Sequence, residues 1–415
     1  MSLYSSENES QLEFERLEQT LPDPLRRSAS SLLDKLYSNL SQQVDSPLSR
    51  VRLNQEALNT LAGGILKDQH NRLLLKLSRS EHGREGSPIP VPRPEFNSEI
   101  HKPAMNTKQL STGVLWVTER AGEYGFEGNG DKDWANLGQG APEHGDTVPG
   151  SFKRPTLIPV TDVSKEYAPT AGIKELREAV AHYYNETYRQ DLPSKYSYKN
   201  VCIVPGGRAG LIRIASIISD CYLSFFLPDY TAYAEMLSLF KNFSPIPVPL
   251  DEADNYEVHL ATIALELQRG VSAFLTSNPR NPTGKCMTRD QLRRLHDMCR
   301  KKCLLIMDEF YSHYYYDEGC NGDSISSSLY VQDVNKDPVL ILNGLTKAFR
   351  LPGWRICWIV GPEEYVNALS SAGSFLDGGS NAPFQYAAVD FLHPLNVRRE
   401  MKALQMHFKM KRDYV

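Results

Sequence analysis

A lysine sits in a short Gly/Pro loop of this chain, within Asn343-Gly-Leu-Thr-Lys347-Ala-Phe-Arg-Leu-Pro-Gly-Trp-Arg355. The apolar run Val339-Leu-Ile-Leu342 delivers it, and Arg355 stands at the head of a second apolar run, Ile356 to Val360. An amine held away from water loses part of the advantage of being charged. Its pKa falls, and its neutral, nucleophilic form becomes available for Schiff-base chemistry. A guanidinium close by can hold a phosphate with two parallel donors. Taken alone, Lys347 is better explained by a solvated loop; the neighbouring motifs reverse that.

Gly206-Gly207-Arg208 follow the apolar run Val201 to Val204 and open a helix. Glycines there let backbone N–H groups approach an anion, and the helix N-terminus adds partial positive charge, although a plain turn would look the same. The run Ala273 to Thr276 leads into Ser277-Asn278-Pro-Arg-Asn281-Pro-Thr-Gly284. Each proline forces the preceding asparagine out of helical geometry, so both amides sit on a rigid extended loop in which X-Pro bonds can be cis. Two Asn-Pro pairs ending in Thr-Gly are the most specific motif present. The run Cys303 to Met307 ends in Asp308-Glu309-Phe310-Tyr311. A carboxylate at the end of a buried strand needs a partner, such as a protonated heterocyclic nitrogen, or else serves as a helix N-cap. Tyr311 places a phenol at the same site. Pro228-Asp229-Tyr230-Thr-Ala-Tyr233 offers an aromatic face for a flat ring, with core packing the commoner fate of such tyrosines.

Seven short apolar runs alternating with amphipathic segments are needed to hold these residues: Val201 to Val204, Cys221 to Leu227, Ser244 to Val248, Ala273 to Thr276, Cys303 to Met307, Val339 to Leu342 and Ile356 to Val360. Helical periodicity over Gly172 to Tyr188, Arg208 to Ile218 and Arg289 to Lys301 supplies the crossovers. The expected architecture is α/β, a three-layer, mostly parallel seven-stranded sheet with the chemistry beyond the carboxyl ends of its strands. A helical extension over residues 1–86 and a Pro-rich linker over 87–97 precede it, followed by an arm over 98–150 and the main domain over 151–395. Residues 396–415 read as the start of a long helix with no Gly or Pro stop.

At 415 residues, with 41% hydrophobic and 23% charged residues and a net charge of −4, the composition is that of an ordinary globular protein. It gives no reason to expect nucleic acid or an anionic membrane as partner. No apolar run approaches the roughly 20 residues of a membrane span. Seven cysteines at irregular spacing suggest free thiols in a reducing compartment, without the pairing of a metal site. The first residues lack a basic region followed by an apolar stretch, so a cytoplasmic location is expected.

Together the motifs resemble the fold-type I pyridoxal-phosphate enzymes, specifically the class I/II aminotransferases, over roughly residues 130 to 415. Asn281-Pro-Thr-Gly284, Asp308-x-x-Tyr311 and the pair Lys347 and Arg355 occur in the family's order. The resemblance implies pyridoxal 5′-phosphate as cofactor, Lys347 as its Schiff-base lysine and Asp308 as partner of its pyridinium nitrogen. It further implies that Asn281 and Tyr311 bond its 3-oxygen, that Tyr230 stacks on its ring, and that Gly206, Gly207, Arg208 and Arg355 hold its phosphate. Gly140, in Asn136-Leu-Gly-Gln-Gly140-Ala-Pro, looks like the family's substrate loop. Tyr167, and Ser380 with Asn381, look like contacts to the phosphate of a neighbouring subunit, which implies a homodimer with shared sites. The family usually places a phosphate-binding serine three residues before the lysine; here Gly344 stands, with Thr346 as a substitute. The family's small domain, which usually carries the arginine for the substrate carboxylate, is expected to be missing from this chain. The implied reaction is ping-pong transfer of an amino group between an amino acid and a 2-oxo acid. A lyase or cyclase on the same scaffold, and a catalytically impaired cofactor-binding protein, are the alternatives.

Overall fold

A computed structural model of the protein describes residues 113–128, 133–136, 142, 148–240, 243–316 and 319–415. The helical extension, the Pro-rich linker and Gly140 fall outside the described residues, as does much of the expected arm. Among the described residues no helix is long and apolar enough to cross a membrane. All seven cysteines are free thiols.

The strands are β1 (Val201–Val204), β2 (Tyr222–Leu227), β3 (Ser244–Pro249), β4 (Val271–Ser277), β5 (Leu304–Asp308), β6 (Val339–Gly344) and β7 (Cys357–Val360). The helices are α1 (Gly113–Glu123), α2 (Lys174–Tyr188), α3 (Gly207–Ile217), α4 (Ala232–Leu237), α5 (Leu260–Gln268), α6 (Arg289–Cys299), α7 (Leu345–Ala348), α8 (Glu363–Leu376), α9 (Ala382–Ala388) and α10 (Pro394–Tyr414). The sheet order is β1-β7-β6-β5-β4-β2-β3. Its pairs are parallel except at β7, which runs antiparallel to both neighbours.

Successive strand residues face opposite layers, as the period of two requires. Ile203, Leu305, Met307 and Ile341 pack with Leu176 and Val180 of α2, Leu292 and Leu295 of α6 and Met401 of α10. Cys202, Val204, Ile306, Leu340 and Leu342 pack instead with Leu211 and Ile214 of α3, Tyr233 of α4 and Leu369 of α8. The result is the expected three layers, with helices covering both faces of a sheet whose strands β1, β6 and β7 are buried throughout. β3 carries three prolines, at 245, 247 and 249, and pairs only with β2. An edge position tolerates them because a missing N–H costs least there.

Candidate active site

Sheet register gathers the site. Ser277 at the end of β4 pairs with Asp308 at the end of β5, and Asp308 with Leu342 of β6. Gly344 of β6 and Val204 of β1 both pair with Cys357, the first residue of β7. The chain leaving β1, β4, β5 and β6 therefore emerges on one edge. The loop that enters β7 from that same edge carries Arg355.

Lys347 lies in α7, a single helical turn directly after β6. The side chain is partly buried, and that burial lowers its pKa from the ordinary lysine value. Its Nζ stands 5.9 Å from the centroid of the Tyr311 ring. Burial, followed by the nearby Asp308 charge, pushes the Tyr311 phenol up to about 12, which keeps it protonated as a donor.

Asp308 is 7% exposed. Its Oδ2 accepts from Tyr233 Oη at 2.7 Å and its Oδ1 from the Phe310 N–H at 3.3 Å. Both bonds favour the carboxylate, but burial outweighs them and lifts the pKa to about 7. A cationic group beside Asp308 would restore full ionisation. The carboxyl is thus poised for a positively charged partner.

Gly206 has φ 107° and caps α3. A Cβ there would fall 1.8 Å from Arg355 Nη2, so the guanidinium rests directly on bare backbone at the head of the helix. Arg355 holds φ 57° and donates from Nη1 to the Pro352 carbonyl at 3.2 Å. At Gly207 a Cβ would meet the Phe310 ring at 2.7 Å. The open first turn of α3 and the arginine across it bring together donors of the kind an anion needs. Arg208, exposed at the same turn, donates from Nε to Tyr230 Oη at 3.1 Å, and Tyr230 meets Tyr233 edge-on with ring centroids 5.5 Å apart.

The Asn-Pro loop is tied to this centre. Asn278 N–H donates to the Asp308 carbonyl at 2.9 Å, and Asn281 N–H to Ser277 Oγ at 3.2 Å. Asp229 holds Ser277 in turn, accepting from its N–H at 3.1 Å and from its hydroxyl. Both Asn-Pro bonds are cis, as is Leu227-Pro228.

Gly344 has a steric reason. A Cβ there would come 2.5 Å from Cys357 Sγ and 2.6 Å from its Cα, so the paired strand leaves no room for a serine. Thr346 Oγ1 is engaged with Cys357 Sγ at 3.2 Å. Tyr167 is 96% exposed and stands apart from the cluster. Ser380 is buried, and its Oγ has no hydrogen-bond partner among the described residues. The segments of these two residues adjoin each other: Arg213 donates to the Thr170 carbonyl at 2.9 Å and from Nε to Asp377 at 2.8 Å. Among the described residues no cluster of three His, Cys, Asp or Glu side chains is arranged to hold a metal ion.

Two residues at the site were quoted only for another role or none. Tyr233 stood in the aromatic run beside Tyr230, and its bond to Asp308 was not foreseen. Phe310 lies within a quoted motif, yet nothing in its type announces packing against Gly207.

The model of the family "Aminotransferase class I and II" matches residues 132–415. The chain belongs to the class I and II aminotransferases. It is 26% identical over 305 residues to a probable aspartate/prephenate aminotransferase of Aquifex aeolicus, covering 72% of this chain and 73% of that protein. With a probable aspartate/prephenate aminotransferase of Rhizobium leguminosarum it shares 27% identity over 287 residues, 68% of each chain. The fold is also similar to a double mutant of the Thermus thermophilus aspartate aminotransferase, with a TM-score of 0.53 at 24% identity. That likeness covers 60% of this chain and spans 63% of the other.

Class I and II aminotransferases use pyridoxal 5′-phosphate, and the site fits that group. The glycine-lined head of α3 with Arg355 suits a phosphate, the buried Asp308 suits a cationic ring nitrogen, and Lys347 presents a partly desolvated amine to the space beside Tyr311.

Proposed function

We propose that this class I and II aminotransferase moves an amino group between an amino acid and a 2-oxo acid in two half-reactions, with ping-pong kinetics. Its relatives' names make aspartate the first amino donor to test. The observation that carries the proposal is the convergence of Lys347, Asp308 and the Arg355-Gly206 cradle on one edge of the sheet.

Bound pyridoxal phosphate supplies an aldehyde that condenses with amines and a ring that withdraws electrons from the substrate Cα. The chain's own residues do the rest. Lys347 Nζ, made less basic by burial, would hold the cofactor's aldehyde carbon at rest and, once freed, would serve as the base that takes the proton from the substrate Cα. Asp308, its carboxylate oriented by Tyr233 and the Phe310 N–H, would hold the ring nitrogen in its cationic form. Tyr311 and Asn281 would hold the ring oxygen, Tyr230 the ring face, and Gly206, Gly207, Arg208 and Arg355 the phosphate. Tyr167 and Ser380 act across a homodimer interface.

Borohydride reduction of the protein loaded with pyridoxal phosphate, followed by peptide mapping, tests the assignment. A label on Lys347, together with 2-oxoglutarate-dependent loss of amino groups from aspartate, supports it. A label elsewhere, or cofactor-dependent elimination with no acceptor requirement, overturns it.

A further inference from the structure

Three successive carbonyl oxygens at the reactive turn are each gripped by a side chain. Lys347 O accepts from Tyr314 Oη at 3.0 Å, Ala348 O from His313 Nδ1 at 3.1 Å, and Phe349 O from Arg154 Nη2 at 2.6 Å. Arg154 comes from the segment before α2, more than 190 residues away in sequence. It is fixed in turn by Glu400 on α10, to which both of its terminal nitrogens donate, Nη1 at 3.1 Å.

Glu400 is fully buried at 0% exposure. It also accepts from the Phe152 N–H at 2.8 Å and lies 3.6 Å from Arg350 Nε. Arg350 is 1% exposed, holds φ 55° at the turn that ends the reactive segment, and donates to Ser151 Oγ at 3.2 Å. One carboxylate therefore lies against two guanidiniums, that of Arg154, which holds Phe349 O, and that of Arg350, the next residue along the turn. A buried charge left without its counterion is strongly unfavourable, so this arrangement is held as a unit.

We propose that Glu400 is a positioning residue for Lys347: through Arg154 and Arg350 it fixes the turn 347–350 and so couples α10 to the place and exposure of the reactive amine. The inference rests on the proposed role of Lys347 but extends to a residue that touches neither cofactor nor substrate. Removing the negative charge leaves the guanidiniums of Arg154 and Arg350 without the carboxylate that lies against both. The Phe349 carbonyl is then released, and the amine at 347 gains access to water.

The test is competitive trace acetylation of the cofactor-free full-length chain, read peptide by peptide, alongside the rate of pyridoxal phosphate release from the loaded protein. Glu400→Gln should raise the labelling of Lys347 about fivefold or more relative to the other lysines, as expected for an amine that becomes exposed. It should speed cofactor release about tenfold. Arg154→Lys, which keeps a cation opposite Glu400 but cannot bridge to Phe349 O, should move both in the same direction by less. A merely structural role would lower the melting temperature and leave relative Lys347 labelling unchanged. Folded variants whose Lys347 labelling stays within about twofold of the unmodified chain overturn the proposal. If neither variant folds, Tyr314→Phe removes one hydroxyl from the same grip and is judged by the same labelling criterion. Should borohydride fail to mark Lys347 in the unsubstituted protein, the cofactor assignment falls, and the labelling comparison still decides whether Glu400 positions the amine.

Discussion

Tyr233 of α4 donates its hydroxyl to Asp308 Oδ2 at 2.7 Å, although the two are 75 residues apart in sequence and β4 lies between β5, which ends in Asp308, and β2, which leads to α4. Removing that hydroxyl leaves the carboxylate with one backbone donor on its other oxygen. A hydrogen bond to a charged group is worth about 1.5–3 kcal/mol. Tyr233→Phe is therefore expected to weaken pyridoxal phosphate binding by about tenfold to a hundredfold, measured by titration of the cofactor-free protein.

Asp308 also sets a pH dependence of stability. Burial raises its pKa to about 7, so the folded chain holds a proton there that the unfolded chain releases near the ordinary carboxyl value. Its contribution is fully present below the unfolded pKa and is lost as pH rises toward 7. Buried Glu309, also raised to about 7, acts in the same direction, whereas His296 and His313, both lowered to about 4 by burial, act in the opposite one as pH falls below 6.5. Only a difference isolates Asp308. Without cofactor, the stability of the unsubstituted chain relative to Asp308→Asn should fall as pH rises from 4 to 7, by up to about 1.4 kcal/mol per pH unit, and level off above. Denaturant midpoints across that range provide the check.

Gly344→Ser places the family's usual residue in a space that Cys357 already fills. Overpacking of this kind costs about 1–3 kcal/mol, so the variant should be less stable without gaining cofactor affinity. Urea denaturation and cofactor titration on the same samples decide the point.

Tyr167 is exposed enough that Tyr167→Phe should change folding stability by no more than about 0.5 kcal/mol. If its hydroxyl serves a partner's site, the variant alone binds cofactor weakly. Mixing it with Lys347→Ala subunits should then regenerate one complete site per mixed dimer. Activity recovered on refolding the mixture, with each variant alone inactive, is the expected result.

Local chemistry was the most legible part of the sequence. The Asn-Pro pairs, the Asp-x-x-Tyr strand end and the Gly-Gly helix opening sit where short-range constraints put them, and all seven strands lie where the apolar runs indicate. Strand direction was not legible, because side-chain alternation is the same in either sense; β7 runs against its neighbours for reasons of connection. Boundaries moved where long-range pairing or backbone sign intervened. β6 continues to Gly344 because that residue pairs with Cys357. α6 stops at Cys299, before Lys301, whose φ of 62° is left-handed and incompatible with continuing the helix. The contacts of Asp308 with Tyr233 and of Arg154 with Glu400 depend on tertiary packing, which no motif encodes.

The outer strand has a consequence for how the molecule meets others. Ser244 and Leu250 donate inward to Cys221 and Leu227, which sets the even-numbered N–H groups toward β2. The alternate positions, facing away, are the three prolines. An incoming strand on that side would therefore find carbonyl acceptors on β3 but no amide hydrogens. A two-way backbone ladder cannot form on that flank, which disfavours strand-to-strand aggregation there.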